Sequence, residues 1–413
     1  MKVELHLIQN FPPSNLNRDD TGSPKDTEFG GYRRARISSQ CLKRSIRLSE
    51  TFQAELSGNI GRRTKRSAEI IASNLVANHE RPEDDARIIA NAAIRALIGK
   101  TDDDGITSVL FYVGSDELAD IAERLNDTWD TLAPLMNAVR EAEAAQAAEG
   151  GEEKKTKGKK EKGGAEAKTA LTDAIAPAAK SFVNSRKDRV GSVDIALFGR
   201  MLAEKPELGI DAACQVAHAI STNKVSMEYD YFTAVDDLNP EGSTGAGMIG
   251  TVGYNSSCFY RYALIDADQL AKNLGGNRDL AKEGIRAFIR GAIAAIPTGK
   301  QNTFAAQTPP SLVLAVVREK GIPCSLANAF EKPVRPDEEQ SLVEKSVEKL
   351  DNHWGAVADM YGRAGVHPFL KVMDGAGSVK HLGDAVRGSI QDVIDGVMET
   401  IERSWAPAGD AAI

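Results

Sequence analysis

Several residue types are scarce in this chain, and each scarcity removes a class of protein. Its 413 residues include four cysteines, Cys41, Cys214, Cys258 and Cys324, far apart and with no C-x-x-C pair. The six histidines do not join them at metal-ligand spacing. Neither a disulfide framework nor a metal site is predicted, and the thiols read as buried and free. No apolar run approaches the ~18 residues of a membrane span. The start, MKVELHLIQNF, carries Glu4 within an alternating pattern where a signal peptide has a continuous apolar stretch, so a cytoplasmic protein with no membrane partner is expected. Hydrophobic residues make up 42% and charged residues 27%, which excludes collagenous and wholly disordered chains. The length allows two or three domains.

Met1 to Phe11 alternates, with Val3, Leu5 and Leu7 on one side and Lys2, Glu4 and His6 on the other, the pattern of a half-buried strand. A long loop rich in Pro, Gly, Asn and Asp follows, and Ser38 or Ser39 can then cap a helix. From about Ser57 to Leu208 the period is helical, as in DELADIAERL, where Leu118, Ile121 and Leu125 share a side. Within that block, residues 141–168 are dominated by Lys, Glu, Gly and Ala and read as a flexible loop. A glycine-rich, strand-like stretch comes next. It leads to a helix with Ile285, Phe288, Ile289, Ala292, Ile293 and Ile296 on one face, the buried strand SLVLAVVRE, and a further amphipathic helix. Strands and helices around one sheet, with a helical block and a hairpin inserted, predict an α+β fold.

The whole chain is acidic, with a formal net charge of -8. Yet Arg33, Arg34, Arg36, Lys43, Arg44 and Arg47 fall in a stretch that holds no carboxylate from Tyr32 to Ser49. At 100° per residue, Gln40, Lys43, Arg44 and Arg47 occupy about a third of the helix circumference, and Leu42 and Ile46 point the other way. The row begins at a helix N-terminus, where free N–H groups and serine hydroxyls favour an anion. Its spacing suits successive phosphates of a polynucleotide, although a merely solvated helix face is the plainer alternative.

The residues from His6 to Arg47, HLIQNFPPSNLNRDDTGSPKDTEFGGYRRARISSQCLKRSIR, resemble the N-terminus of the CasC family, the backbone subunit of the type I-E CRISPR complex Cascade. VDIALFGRM (193–201), VAHAISTNKV (216–225), DYFTAVDDL (230–238), SCFYRYALI (257–265) and PCSLANAFEK (323–332) resemble further blocks of that family in the same order. The resemblance implies an RRM-like, or ferredoxin-like, palm with an inserted helical fingers domain and a β-hairpin thumb. The palm would be made of residues 1–56, 213–224 and 259–413, the fingers of 57–212 and the thumb of 225–258. It implies a non-enzymatic subunit without cofactor or metal that polymerises along a CRISPR RNA and presents it to target DNA. Its partners would be copies of itself and large, small, guide-end-binding and guide-processing subunits.

Carried over by position, the resemblance assigns the guide's phosphates to Arg18, Lys25, Ser38, Gln40, Lys43, Arg44 and Arg47, and the charge pattern adds Arg33, Arg34 and Arg36. Tyr231 and Phe232 on the thumb and Met201 on the fingers would lie beside bases, although the family often has Trp at the position of Tyr231. PTGKQNTFAA resembles another block and brings in Lys300. It is no phosphate loop, because Ala294 replaces the first glycine and Gln301 the Ser or Thr. Lys154, Lys155, Lys157, Lys159 and Lys160 read either as a solvated loop or as a lure for target DNA. Gly245 to Gly250 matches G-x-G-x-x-G but lacks the strand before it and the helix after it. A rival reading makes the chain a metal-dependent ribonuclease using Asp236 or Asp237. Against it, neighbours on a strand point to opposite faces.

Overall fold

The computed structural model describes residues 1–406 apart from 100, 103, 148–153, 204, 235 and 239–247. Its strands are β1 (Lys2–Ser14), β2 (Asp26–Phe29), β3 (Tyr32–Ile37), β4 (Arg62–Thr64), β5 (Phe111–Val113), β6 (Cys214–Val216), β7 (Ala219–Ser221), β8 (Glu228–Ala234), β9 (Met248–Asp266), β10 (Leu312–Arg318) and β11 (Val366–Val372). The chain divides into two compact units: Met1–Glu55 with Cys214–Asp268 and Lys282–Ile413, and Leu56–Ala213 with Gln269–Ala281. No helix among the described residues is long and apolar enough to cross a membrane.

The first unit is an α+β palm built on one antiparallel sheet in the order β11-β10-β1-β9-β7-β3-β2, with β6 and β8 also paired to β9. β1 is central, Lys2 lying opposite both Arg318 of β10 and Asp266 of β9. The helix Leu342–Tyr361 opens with a capping box between Ser341 and Glu344. It packs Val347, Leu350 and Trp354 with Ile8, Tyr260, Leu314 and Val316. Side chains alternate along a strand, so Arg261 faces the opposite way from Tyr260, and its guanidinium donates to the Ala292 carbonyl at 2.8 Å. That carbonyl belongs to the helix Arg278–Ala294, whose Ile285, Phe288, Ile289 and Ala292 are all buried, as their spacing predicts.

The polar side of β1 corrects the half-buried expectation. Glu4 and His6 are both 0% exposed. Glu4 accepts from Arg318 Nε at 2.6 Å and from the Tyr262 hydroxyl at 3.1 Å, and His6 Nδ1 bonds the Tyr260 hydroxyl at 2.8 Å. A strand can bury both sides when its polar groups find partners inside.

The second unit is mainly helical. Ile71, Leu75, Ile89, Ile94, Leu118, Leu125 and Phe182 belong to its core. The described parts of 141–168 are helical where their composition suggests a loop: the helix Trp129–Ala147 enters the stretch from one side, and the helix Lys154–Ser185 begins within it. Ala, Lys and Glu are good helix formers, and Leu171, Ile175 and Phe182 further along the second helix are buried and anchor it. The segment Gln269–Ala281, read above as palm, packs in this unit. Asn273 Nδ2 donates to the carbonyls of Ala196 at 2.9 Å and Asp211 at 2.8 Å, and the Asn273 carbonyl accepts from Val190 N–H at 2.8 Å.

Candidate nucleic-acid interface

The cationic strip divides between β3 and the nine-residue helix Ser39–Arg47. Ser38 is the N-cap, its hydroxyl accepting from Cys41 N–H at 3.3 Å, and Leu42 and Ile46 are the buried residues of the helix. Leu42 packs with Phe11, Leu16, Ile37 and Phe259, which fixes the roll of the helix. Gln40 and Arg44 are exposed, and Lys43 and Arg47 are half-buried.

The preceding loop is ordered by its own polar side chains. Asp19 Oδ1 accepts from Thr21 N–H at 2.9 Å, Thr21 Oγ at 2.7 Å and Ser23 N–H at 3.0 Å, and the Thr21 hydroxyl first among these holds the Asp19 carboxyl below its ordinary value. Asn17 Oδ1 accepts from Ser38 N–H at 2.9 Å, tying loop to helix. Arg18 is exposed on this loop and Lys25 half-buried.

Two residues expected at the interface are internal. Arg34 is 0% exposed, and its guanidinium donates to the carbonyls of Ser221 (2.9 Å), Thr222 (3.0 Å), Phe330 (2.7 Å) and Glu331 (3.0 Å). A guanidinium enclosed by four carbonyls cannot reach a phosphate, so Arg34 is an organiser of the palm. Ser38 is buried too, and it acts through the cap. Arg33 is exposed and paired with Asp26 at 2.7 Å.

A cavity of about 940 Å³ lies beside the helix. Arg18 and Arg44 line it, but so do Asp19, Asp20 and Glu50, which leaves it a carboxylate in excess. The lining of this cavity therefore offers a polyanion no net positive charge. Burial pushes the Cys41 thiol up and the Cys214 thiol up to about 12, so neither is a ready nucleophile. Lys300 is half-buried, with φ 50°, ahead of the short helix Gln301–Phe304.

The thumb is β8 paired with the start of β9, from Glu228↔Tyr254 to Ala234↔Met248, and every residue of β8 is exposed. Tyr231 (63% exposed) and Phe232 (38%) alternate to opposite faces, and Tyr229 (65%), which the sequence reading passed over, shares the face of Tyr231. Asp236 and Asp237 follow β8 in a turn, where Asp236 Oδ1 accepts from Leu238 N–H at 2.9 Å, so the opposite-face argument about a strand does not apply to them. Of the motif Gly245 to Gly250, residues 245–247 lie outside the described residues, and Met248 begins a strand, not a helix. In the second unit Met201 is 96% exposed. Lys154, Lys155, Lys157, Lys159 and Lys160 begin a helix, and their side chains lie outside the described residues.

Sequence reasoning also missed His218. It precedes β7, and its Nδ1 lies 2.9 Å from Arg36 Nη1. The signal was available in VAHAISTNKV: Ala219 and Ser221 are the inward pair, which turns 218 and 220 outward.

Fold and site together define an α+β protein whose main antiparallel sheet carries, packed on it through Leu42, a cationic helix preceded by a loop tied down by its own polar side chains. The chain belongs to the CT1975-like protein family, which it matches over residues 3–396. Solved structures agree. A chain of a CRISPR RNA-guided surveillance complex, pre-nicking, is 30% identical, with a TM-score of 0.73 over 97% of this chain and 100% of that one. A chain of another CRISPR RNA-guided surveillance complex is 25% identical, with a TM-score of 0.65 over 97% and 99%. No curated protein matches the sequence.

Proposed function

We propose that this chain is the CRISPR RNA-binding backbone subunit of a type I-E Cascade complex, of the CasC kind, and that it acts without catalysis in the cytoplasm. Copies would polymerise along the guide spacer and present it for pairing with target DNA, in company with the large, small, guide-end-binding and guide-processing subunits. The observation that carries this reading is the helix Ser39–Arg47, anchored through Leu42 and Ile46 and bearing Lys43, Arg44 and Arg47 with no carboxylate among them. Arg18, Lys25, Arg33, Arg36, Gln40 and Lys300 extend the contact along the RNA backbone. Such a surface reads phosphate and shape, and leaves sequence to base pairing. Tyr231, Phe232 and Met201 would lie against bases, since stacking tolerates any sequence. Lys154, Lys155, Lys157, Lys159 and Lys160 would draw target DNA, so deleting residues 150–164 should slow DNA association at low salt and spare guide binding.

Co-purification tests the reading. The wild-type protein should bring down short RNA of uniform length, and the double variant Lys43→Glu, Arg47→Glu should lose it with an unchanged unfolding midpoint. Protein that is monomeric and free of RNA, and that ignores added transcripts at low salt, overturns the proposal. Regularly spaced, Mg²⁺-dependent cuts in complementary RNA, lost in Asp236→Ala or Asp237→Ala, would identify a ribonuclease instead.

A further inference from the structure

Lys25, Arg36 and His218 converge from three places in the first unit. Lys25 lies in the loop before β2, Arg36 on β3, and His218 ahead of β7. Backbone pairing holds the three segments together: Arg36 N–H donates to the Lys25 carbonyl at 2.9 Å, and Arg36 and Ile37 pair with Ile220 and Ala219. Arg36 Nη1 stands 2.9 Å from His218 Nδ1. A guanidinium can only donate, so Nδ1 must be the acceptor, and the imidazole is neutral with its proton on Nε2. An imidazole whose lone pair is occupied by a cation lacks the partner that a cation cluster wants, which is an anion.

Among the described residues no carboxylate bears on the ring. Arg36 from β3 and Lys25 from the loop are the charged groups that face the ring; with partial burial first, they hold His218 below its ordinary value. Asp26, the carboxylate next to Lys25, is taken by Arg33 at 2.7 Å, and offers only its carbonyl to Arg36 Nε at 3.2 Å. From β9 the nearest backbone partner of this segment is the Tyr262 carbonyl, which accepts from Ala217 N–H at 2.9 Å, and the Tyr262 hydroxyl is engaged with Glu4. His218 itself is exposed.

We infer that Lys25, Arg36 and His218 form a proton-linked site for one phosphodiester group of a bound polynucleotide, His218 taking up a proton from solvent when the phosphate enters. The phosphate oxygen takes the place of Nδ1 as acceptor from Arg36, and Nδ1, once protonated, donates to the same phosphate, so a donor–acceptor pair becomes two donors on one anion. The added positive charge is balanced by the phosphate. This rests on the RNA-binding reading above and adds to it a contact and a pH dependence. The sign follows from linkage: the ring binds its proton more tightly with phosphate present, so RNA affinity rises as pH falls through the bound-state value, and levels off below the free-state value.

The test uses the full-length chain and a single-stranded oligouridylate, whose bases do not titrate between pH 8 and 5.5. Wild-type affinity should rise as pH falls, by at most about tenfold per pH unit, the limit for one proton. His218→Gln should lose the rise, its affinity staying flat from pH 8 to 5.5. His218→Lys, a permanent cation, should bind more tightly than His218→Gln at pH 8 and also stay flat. Calorimetry in buffers of different ionisation heat should report proton uptake for wild type only. A wild-type slope retained in His218→Gln, or wild-type binding that is insensitive to pH, overturns the inference and leaves RNA binding standing. Absence of any wild-type binding across the range overturns both.

Discussion

Phe232 lies across the thumb from Gly250, with its ring tip in the space that a side chain at 250 would occupy: a Cβ built on Gly250 would be 2.3 Å from Phe232 Cζ. The hairpin is two-stranded with β8 exposed throughout, so no core orients the ring. Resting an aromatic ring on a cross-strand glycine supplies the missing support. The glycine therefore fixes where Phe232 points.

Gly250→Val should push that ring away and act on binding rather than on stability. The unfolding midpoint is expected to stay within about 2 °C, because well under 1 kcal/mol of global stability is at stake in an exposed hairpin. RNA retention should fall about fivefold or more, the lower end of one lost stacking contact. Phe232→Ala should match it, and the double variant should lose little more, since both remove one interaction. Additive losses in a competition assay would show that the pair does not act as a unit.

This pair also marks the boundary of what a sequence discloses. The alternation of Val3, Leu5 and Leu7 and the face from Ile285 to Ala292 are local periods, and the fold honours both. Leu42 and Ile46 gave the roll of the basic helix for the same reason. Which guanidinium faces inward is not local: the carbonyls that enclose Arg34 come from segments 187 to 297 residues away, and only the closed sheet brings them there. Charge counting could not separate Arg34 from Arg33. The stretch 141–168 misled in another way, because low hydrophobicity spoke for disorder while helix propensity and the buried residues beyond it spoke for a helix.

Arg33 and Arg34 should consequently respond in opposite ways. Arg34→Met removes the donor that four carbonyls share, among which that of Thr222 also accepts from the Val334 N–H at 2.8 Å, and is expected to destabilise the first unit by about 3 kcal/mol in urea unfolding. Arg33→Gln loses an exposed pair with Asp26, and should leave the unfolding curve unchanged while flattening the salt dependence of RNA binding by roughly 0.7, the slope of one phosphate contact on a single strand. Equal effects of the two variants on stability would contradict the burial of Arg34.

Glu4 makes stability depend on pH. Burial alone would raise its carboxyl; the His6 ring 3.9 Å away, the Arg318 guanidinium and the Cys324 N–H outweigh this, and the net direction is down. A depressed carboxyl contributes stability that is complete above its ordinary value of 4.5 and is lost as pH falls through the lower, folded-state value. Glu4→Gln keeps the acceptor but strands the buried charge of Arg318, and is expected to destabilise by about 3 kcal/mol at pH 7. The gap between variant and wild type should narrow below pH 4.5, once the wild-type carboxyl takes its proton. A gap that is the same at pH 7 and pH 3.5 would place the effect in packing.

Met201 and Arg200 are neighbours with opposite environments. Met201 is 96% exposed, whereas Arg200 is buried, with Nη1 on Glu117 Oε2 at 2.8 Å and on the Tyr112 carbonyl at 3.0 Å, and Nε on the Leu208 carbonyl at 2.8 Å. Arg200 and Ile210 also exchange backbone hydrogen bonds, each 2.9 Å, which close the base of the loop that presents Met201. A place for Met201 against a base can be tested apart from the fold, because its side chain makes almost no contact with this chain. Met201→Ala should leave the midpoint of unfolding where it is and weaken capture of complementary DNA by the guide-loaded assembly. Glu117→Ala strands the Arg200 guanidinium and should lower stability by about 3–5 kcal/mol, with loss of DNA capture following from it. If Met201→Ala captures DNA as well as wild type does, the exposed methionine has no part in presenting the guide, and the ion pair beneath it serves the fold alone.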